Sequence, residues 1–589
     1  MSKKQRLELT WIGKDERPRL EPRVLIEDAA KSHHAAARVS ENDIFDNRLI
    51  FGDNLLALQA LEQEFTGKIK CIYIDPPFNT QQAFEHYDDG VEHSLWLQLM
   101  RDRIALLYKL LSLDGSFFVH IDDNELGYLI ALVDEIFGRS NRISVISFKQ
   151  SAASGPKSIN PGLVSTSNFI LYYVKDRRYW KPNRVYVPIA RDARYNTFIN
   201  NYEDHYSRWS IGTLRAAFAD YHKVQVRDLK SKFGSELERR LSEFVLSNAD
   251  RVVQPALVRP EDINVDARGA LFESSKKPGI VAKSPREGRY FLNGKQLLFY
   301  ASKTQEIDGQ VTTTGLLTTI WDDLFSNNLH KEGSVSFPNG KKPEALIKRL
   351  LELSTNDSSD WILDSFAGSG TTGAVAQKMR RRWIMVELLD HCHTHIIPRL
   401  TRVVEGEDPS GVTDAVQWKG GGGFRYYRLA PSLLKKDRWG NWIISDTYNP
   451  AMLAEAVCKL MGFTYAPSET EYWMHGRSSE RDFIYVTTQS LTASQLRAIS
   501  EEVGDERSLL ICCAAFRADP NAFPNLSIRK IPQAVLRKCE WGKDDYSLNI
   551  ANLPMAEVRE EPHAPSGSKA SAKKEPVAQT DLFAAEPKQ

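Results

Sequence analysis

Short apolar runs rich in β-branched residues alternate with longer stretches of leucine at helical spacing from Asn47 to about Arg178, and this alternation constrains the fold more than any other feature of the chain. Residues 48–53 (RLIFGD) read as a strand, 54–65 (NLLALQALEQEF) as a helix and 69–75 (IKCIYID) as the next strand. A long amphipathic helix over 93–113 leads through an Asp-Gly turn into a strand, 114–122 (DGSFFVHID). Residues 124–138 form a helix closed by Gly138, and 143–148 and 168–176 complete the set. Strands that alternate with helices imply a mostly parallel sheet covered on both faces. The rhythm stops after Arg178 and resumes with 342–354 (KPEALIKRLLELS), 361–379 (WILDSFAGSGTTGAVAQKM) and 381–390 (RRWIMVELLD). One sheet is therefore expected from two separated pieces, with a different module between them.

The expected organisation is an irregular leader with some helix (1–46), a first half of the sheet domain (47–178), an insertion (179–330) and a second half (331–405). A Gly-rich flexible linker (406–429, containing KGGGGFRYYRL), a smaller α/β domain (430–557) and a disordered Pro-, Ser-, Ala- and Lys-rich tail (558–589) follow. At 589 residues the chain is too long for one ordinary core. The 77 basic and 76 acidic side chains nearly cancel, so a nucleic-acid surface has to be a local basic face. The 6 cysteines form no CxxC pair, which supports neither a zinc ribbon nor a disulfide framework and suits a reducing cytoplasm. The N-terminus carries no apolar signal core, and no run of about 18 apolar residues suggests a membrane span.

Two stretches carry chemistry. Asp75-Pro76-Pro77-Phe78 ends a buried strand with a carboxylate, a rigid turn and a ring, where two prolines forbid further strand. A plain turn residue is the simpler reading of Asp75. In the second half, Gly368-Ser369-Gly370-Thr371-Thr372-Gly373 matches GxGxxG between a strand and a helix, and the next strand ends in Glu387. Such a loop lets backbone approach a ligand at a helix N-terminus, and an acid at that distance typically binds ribose hydroxyls. A ligand-free tight turn, a nicotinamide or flavin dinucleotide site and an S-adenosylmethionine site all fit. A Walker loop does not, because no Gly-Lys-Ser/Thr follows. Glu387 alone reads equally as a solvated acid, and Asp53 as the N-cap of the following helix. His391 and His395 stand i, i+4, but no Glu separates them and their stretch reads as an amphipathic helix, so no metal site is expected. The acids of HIDDNE (120–125) fit a structural or substrate-side role.

Asp75–Phe78 resembles the catalytic Asp-Pro-Pro-aromatic motif of amino-methylating DNA methyltransferases, and Asp364-Ser365-Phe366-Ala367-Gly368-Ser369-Gly370-Thr371-Thr372 resembles their cofactor loop. The catalytic motif comes first, an insertion follows and the cofactor loop comes last, which is the circularly permuted order of the β group. LIFGDNLLALQAL…GKIKCIYIDPPFNT, HSLWLQLMRDRIALL, GSFFVHIDDNELGYL, DEIFG and FPNGKKPEALIKRLLEL are similar to the modification subunit of Type III restriction–modification systems. The likeness is strong over 40–178 and 334–405, weaker over 419–557, and small over 179–330. Phe78 departs from the usual Tyr.

The resemblance implies a Rossmann-like α/β methyltransferase sheet with an inserted target-recognition domain and a C-terminal α/β domain. It implies methyl transfer from S-adenosylmethionine to N6 of a flipped adenine in double-stranded DNA. Asp75 and the Pro76 carbonyl would accept the amine N–H groups, Pro77 would rigidify the turn and Phe78 would stack on the base. Asp364, Phe366, Gly368, Ser369, Gly370, Thr371 and Thr372 would cradle the cofactor, Glu387 its ribose and Asp53 its adenine end. Residues 179–330, with basic and aromatic residues interleaved, would read the DNA. A helicase–nuclease restriction subunit and a second copy of the chain are the implied partners. Gln579-Thr580-Asp581-Leu582-Phe583 is similar to the short peptide that docks on bacterial sliding clamps. A solitary methyltransferase, a cytosine N4 methyltransferase and an NAD-binding oxidoreductase are the alternatives.

Overall fold

The computed structural model describes residues 8–77, 89–150, 163–324, 329–337, 340–533 and 535–546. Phe78 and Gln579–Phe583 lie outside the described residues. The strands foreseen at 48–53, 69–75, 114–122, 143–148 and 168–176 become β3 (Asn47–Phe51), β4 (Ile69–Ile74), β5 (Leu111–Ile121), β6 (Arg142–Lys149) and β7 (Ser167–Val174). Between them run α1 (Asn54–Phe65), α2 (Asp89–Leu110) and α3 (Leu126–Phe137), the last closed by Gly138 at positive φ. The second piece supplies α4 (Glu344–Ser354), β8 (Trp361–Asp364), α5 (Thr371–Lys378), β9 (Arg382–Glu387) and α6 (Ile397–Glu405).

Both pieces share one sheet. Its core runs β3-β9-β8-β4-β5-β7-β6, parallel from β3 to β5 and antiparallel at β7. Successive strand residues face opposite ways, and each face is covered by a different piece of the chain. Ile72, Ile74, Leu363 and Ile384 pack with Leu58 of α1, Met100 of α2 and Leu129 of α3. Cys71, Tyr73, Ile362 and Trp383 pack with Leu346 of α4, Val375 of α5 and Leu400 of α6. Neither piece can bury both faces alone, so the halves are obligate partners. From β8 the chain moves through α5 to β9 on one side, and from β4 through α2 to β5 on the other. The junction of β8 and β4 is therefore a topological switch point, where open α/β sheets bind ligands beyond the strands' carboxyl ends.

Two expectations change. The leader, read as irregular with some helix, contributes β1 (Leu25–Glu27) and β2 (His33–His34), and no helix among its described residues. Both pair with β10 (Gly423–Leu429), which lies parallel to β3 and extends the sheet. The Gly-rich stretch is consequently no flexible linker. Its glycines permit close approach: at Gly422, with φ of +73°, an added Cβ would collide with the Ile44 carbonyl and lie 2.7 Å from Gln377 Nε2. Composition alone cannot separate glycine used for freedom from glycine used for contact.

Residues 197–299 form a six-stranded antiparallel sheet with helices at Leu214–Tyr221, Leu237–Ser247 and Val265–Lys276. After a second small sheet the chain rejoins the main one at Ile320–Trp321, beside β6. Beyond β10, a five-stranded sheet with parallel strands Asp482–Val486, Ser508–Cys513 and Leu526–Lys530 packs with helices Pro450–Met461 and Ala493–Val503. The chain then returns to the leader, where Asp544 pairs with Arg23 (2.6 Å), and to the first half, where the Tyr546 N–H donates to Asp53 (2.9 Å). No helix among the described residues is long and apolar enough to cross a membrane.

Gly422→Ala is expected to destabilise the protein by about 1 kcal/mol or more, because it adds a clash at a positive-φ site. Chemical denaturation followed by tryptophan fluorescence measures this, and an unchanged midpoint would restore the linker reading.

Candidate active site

Strand pairing creates the site. Leu363 of β8 pairs with Ile72 of β4, so Asp364 and Asp75 emerge on neighbouring strands at the carboxyl edge. They line a cavity of about 550 Å³, within the usual range for small-molecule sites. Asp75 Oδ2 receives Lys342 Nζ at 2.5 Å, while Asp75 Oδ1 is buried without a hydrogen-bond partner among the described residues. The turn after Asp75 is braced by Trp96, whose indole N–H donates to the Pro77 carbonyl at 3.0 Å. Beneath it, Tyr73 Oη lies 3.3 Å from His120 Nδ1, and Asn168 Nδ2 lies 3.2 Å from His120 Nε2.

The opposite wall is the glycine loop. Gly368 and Gly370 have φ of +53° and +75°, a conformation other residues rarely adopt. A Cβ on Gly373 would overlap Met385, so this third glycine lets α5 lie close against β9. Two of the loop's amides are taken by carboxylates, while the Ala367 and Gly370 N–H groups donate to the Val386 and Ala367 carbonyls. Gly368 N–H donates to Glu387 Oε2 at 2.8 Å and Phe366 N–H to Asp364 Oδ1 at 2.9 Å, while Thr372 Oγ1 donates to Asp364 Oδ2 at 2.5 Å. Ser365 Oγ, also lining the cavity, is buried without a hydrogen-bond partner. From behind, Arg399 donates to the Ser369 carbonyl (3.1 Å) and to Thr371 Oγ1 (2.8 Å) and pairs with Glu344 (2.7 Å). Lys378 pairs with Glu344 (2.8 Å) and Asp408 (2.7 Å), so two cations and two anions balance, all with fully buried side chains.

Three carboxyl groups, those of Asp75, Asp364 and Glu387, converge on the cavity wall, which Lys342 and Arg103 also line. Burial pushes the Asp364 carboxyl up to about 7, with the Asp75 and Glu387 charges adding to the rise. Burial also raises Asp75, against the pull of Lys342. Burial, reinforced by the Lys342 ammonium, keeps His120 well below its ordinary value and therefore neutral. A loop with four amides already engaged, two of them by carboxylates, has little room for a pyrophosphate, the group that a dinucleotide would place there. The wall suits a ligand that carries positive charge.

The DNA methylase family N6_N4_Mtase matches residues 69–397, more than half of the chain and both walls of this cavity. The chain belongs to that family. It is 33% identical over 421 residues to the "Probable type III restriction-modification enzyme HindVI Mod subunit" of Haemophilus influenzae, covering 67% of this chain and 55% of that protein. It is 29% identical over 353 residues to the Type II methyltransferase M.EcaI of Enterobacter cloacae, covering 58% of this chain and 67% of that one. With the Type III restriction-modification enzyme EcoP15I Mod subunit of Escherichia coli it shares 24% over 431 residues, 63% of this chain and 61% of the other. The chain thus spans little more than half the length of the Haemophilus protein.

In this DNA methylase, Asp75, Pro76, Pro77, Asp364, Phe366, Gly368, Ser369, Thr371, Thr372 and Glu387 all line one cavity. Gly370 stands just behind them as the left-handed N-cap of α5. Asp53 caps α1 through Oδ1, which accepts from Leu55 N–H and Leu56 N–H, and Oδ2 accepts from Tyr546 N–H and Arg103. Its neighbour Asn54 lines the cavity instead and donates to the Ser365 carbonyl at 2.7 Å, bridging the two halves. His391 and His395 diverge: His391 lies 3.1 Å from Glu387, whereas His395 Nε2 lies 3.2 Å from the Ser336 carbonyl. A π-helical turn over Cys392–Ile396 alters the i, i+4 geometry there, and its Ile396 packs against Gly370. Among the described residues no cluster of three metal-ligating side chains occurs.

Lys342, Asn54 and Trp96 were not legible as site residues. Lys342 had one signal, a cation held just before a helix-opening proline.

The raised Asp364 gives a signed pH dependence. Its folded value, about 7, lies above its ordinary 3.8, so its stabilising contribution is complete below the ordinary value and is lost as pH rises through 7. The ligand-free wild type should therefore lose more thermal stability between pH 5 and pH 8 than Asp364→Asn does. Melting curves at the two pH values check this, and equal losses would contradict the buried, neutral Asp364.

Proposed function

We propose that this protein transfers a methyl group from S-adenosylmethionine to the N6 amine of adenine in duplex DNA, in the permuted β-group order. The observation that carries the reading is the convergence on one cavity of Asp75, whose Oδ1 has no hydrogen-bond partner among the described residues, with a glycine loop whose Phe366 and Gly368 amides are bound by carboxylates. When bound, S-adenosylmethionine supplies an electrophilic methyl on a cationic sulfonium. Glu387 complements that charge, the open space at Gly368 and the orphan Ser365 hydroxyl fit its methionine half, and Glu387 keeps lone pairs for ribose hydroxyls.

Adenine N6 is a poor nucleophile because its lone pair is delocalised into the ring. Asp75 Oδ1 accepts one N–H and the Pro76 carbonyl the other. Together they favour a pyramidal nitrogen and offset the positive charge that develops on it, which is oriented electrostatic stabilisation. The prolines and the Trp96–Pro77 hydrogen bond keep the turn from relaxing. The base reaches the cavity only by flipping out of the duplex, and Phe78 stacks on it, retaining what a tyrosine ring would contribute. Residues 179–330 read the DNA, as their place between the two halves and their basic and aromatic composition support. The names of the relatives extend this reading to a Type III-like modification subunit that works with a restriction subunit. Pairing with a second copy, and clamp docking through Gln579–Phe583, rest on the family resemblance and the tail motif.

Asp75→Ala should reduce methyl transfer to unmethylated genomic DNA by about 100-fold or more. Calorimetric affinity for S-adenosylmethionine should stay within a few-fold. Retained transfer would defeat the mechanism, and lost cofactor affinity would place Asp75 in the wrong role.

A further inference from the structure

The Asp75 carboxylate divides its two oxygens between unlike environments. Oδ2 is bound at 2.5 Å by Lys342 Nζ, and Oδ1 is buried with no hydrogen-bond partner among the described residues. The Lys342 side chain is only 7% exposed. Its backbone is constrained from both directions: Gly340 precedes it at φ of +85°, and Pro343 follows it at the start of α4. The Lys342 carbonyl lies 3.4 Å from Thr371 Oγ1 of the glycine loop, and its ammonium also donates to the Gly340 carbonyl at 3.2 Å. The cation is thus fixed to the cofactor wall while reaching a carboxylate 267 residues away in the sequence.

We propose that Lys342 is the positioning residue for Asp75: by binding Oδ2 it keeps the carboxylate ionised and leaves Oδ1 as the acceptor for the substrate amine. The proposal rests on the reading of Asp75 as the amine acceptor. Without the cation, the surroundings favour a protonated Asp75. Asp364 faces it from β8 with Glu387 behind on β9, and Tyr73 and the neutral His120 beneath it on β4 and β5 supply no positive charge. Burial already raises Asp75, and Lys342 is the group that opposes the rise. A protonated Asp75 would present a donor where the amine needs an acceptor. Because Lys342 comes from the second half and Asp75 from the first, the acceptor is set only when both halves are assembled.

The test compares full-length wild type with Lys342→Met and with Lys342→Ala plus methylammonium. Methyl transfer to unmethylated genomic DNA is measured across pH, and cofactor affinity by calorimetry. Lys342→Met should lose roughly tenfold or more in kcat on the acidic limb, recover towards alkaline pH and bind cofactor normally. Methylammonium should restore part of the rate to Lys342→Ala. In parallel, ¹³C NMR of protein labelled at aspartate Cγ, with Asp75→Asn identifying the resonance, should show Asp75 titrating at higher pH in Lys342→Met. An acidic limb and an Asp75 resonance that both stay unmoved would overturn the proposal. A wild type that methylates nothing would defeat the functional reading instead, and the NMR titration would still decide the role of Lys342.

Discussion

The pairing of Ile362 and Leu363 with Cys71 and Ile72 is the contact on which the rest depends. It joins two strands almost 300 residues apart, and it alone brings Asp75 to the edge of the glycine loop. Each half then needs the other, because α1–α3 cover one face of the shared sheet and α4–α6 the other. Asn54 fastens the seam by donating to the Ser365 carbonyl, and Asn47 does so by accepting from Trp383 N–H. The insertion leaves from β7 and returns beside β6, away from this seam. A large inserted module can therefore vary there without disturbing the cavity.

Charge is handled differently on the two sides of the glycine loop. Behind it, Glu344, Lys378, Asp408 and Arg399 neutralise one another out of water, so the loop is gripped without a net field. Losing one partner of such a set typically costs about 3–5 kcal/mol, because a charge is left buried alone. In front of it, the carboxyls of Asp75, Asp364 and Glu387 crowd together, and burial with the two neighbouring charges raises Asp364 to about 7. A cationic occupant would relieve that crowding, a local instability of the kind binding sites commonly carry.

Much of this was readable before any coordinates. The strand and helix periodicity placed β3 to β9, and Asp75–Pro77, the glycine loop and Glu387 announced a site because they combine turn chemistry with charge at strand ends. What periodicity could not convey was which atoms each acid would spend on the protein itself. Asp53 looked like a ligand-facing acid and also like a cap; its oxygens are taken by α1, Arg103 and a C-terminal segment nearly 500 residues away. Lys342 carries little sign of its role in the sequence because its burial is purely tertiary. The tetraglycine looked like a hinge, since glycine for contact and glycine for freedom have the same composition.

The central claim is that one cavity, built from both halves, methylates adenine N6 in DNA. The most direct measurement is expression of the full chain in a host lacking DNA methylation, followed by genome-wide mapping of modified bases. The account predicts N6-methyladenine at one short recurring sequence, absent from the Asp75→Ala control. Modified cytosine N4 instead, or no modified base at all, would contradict it.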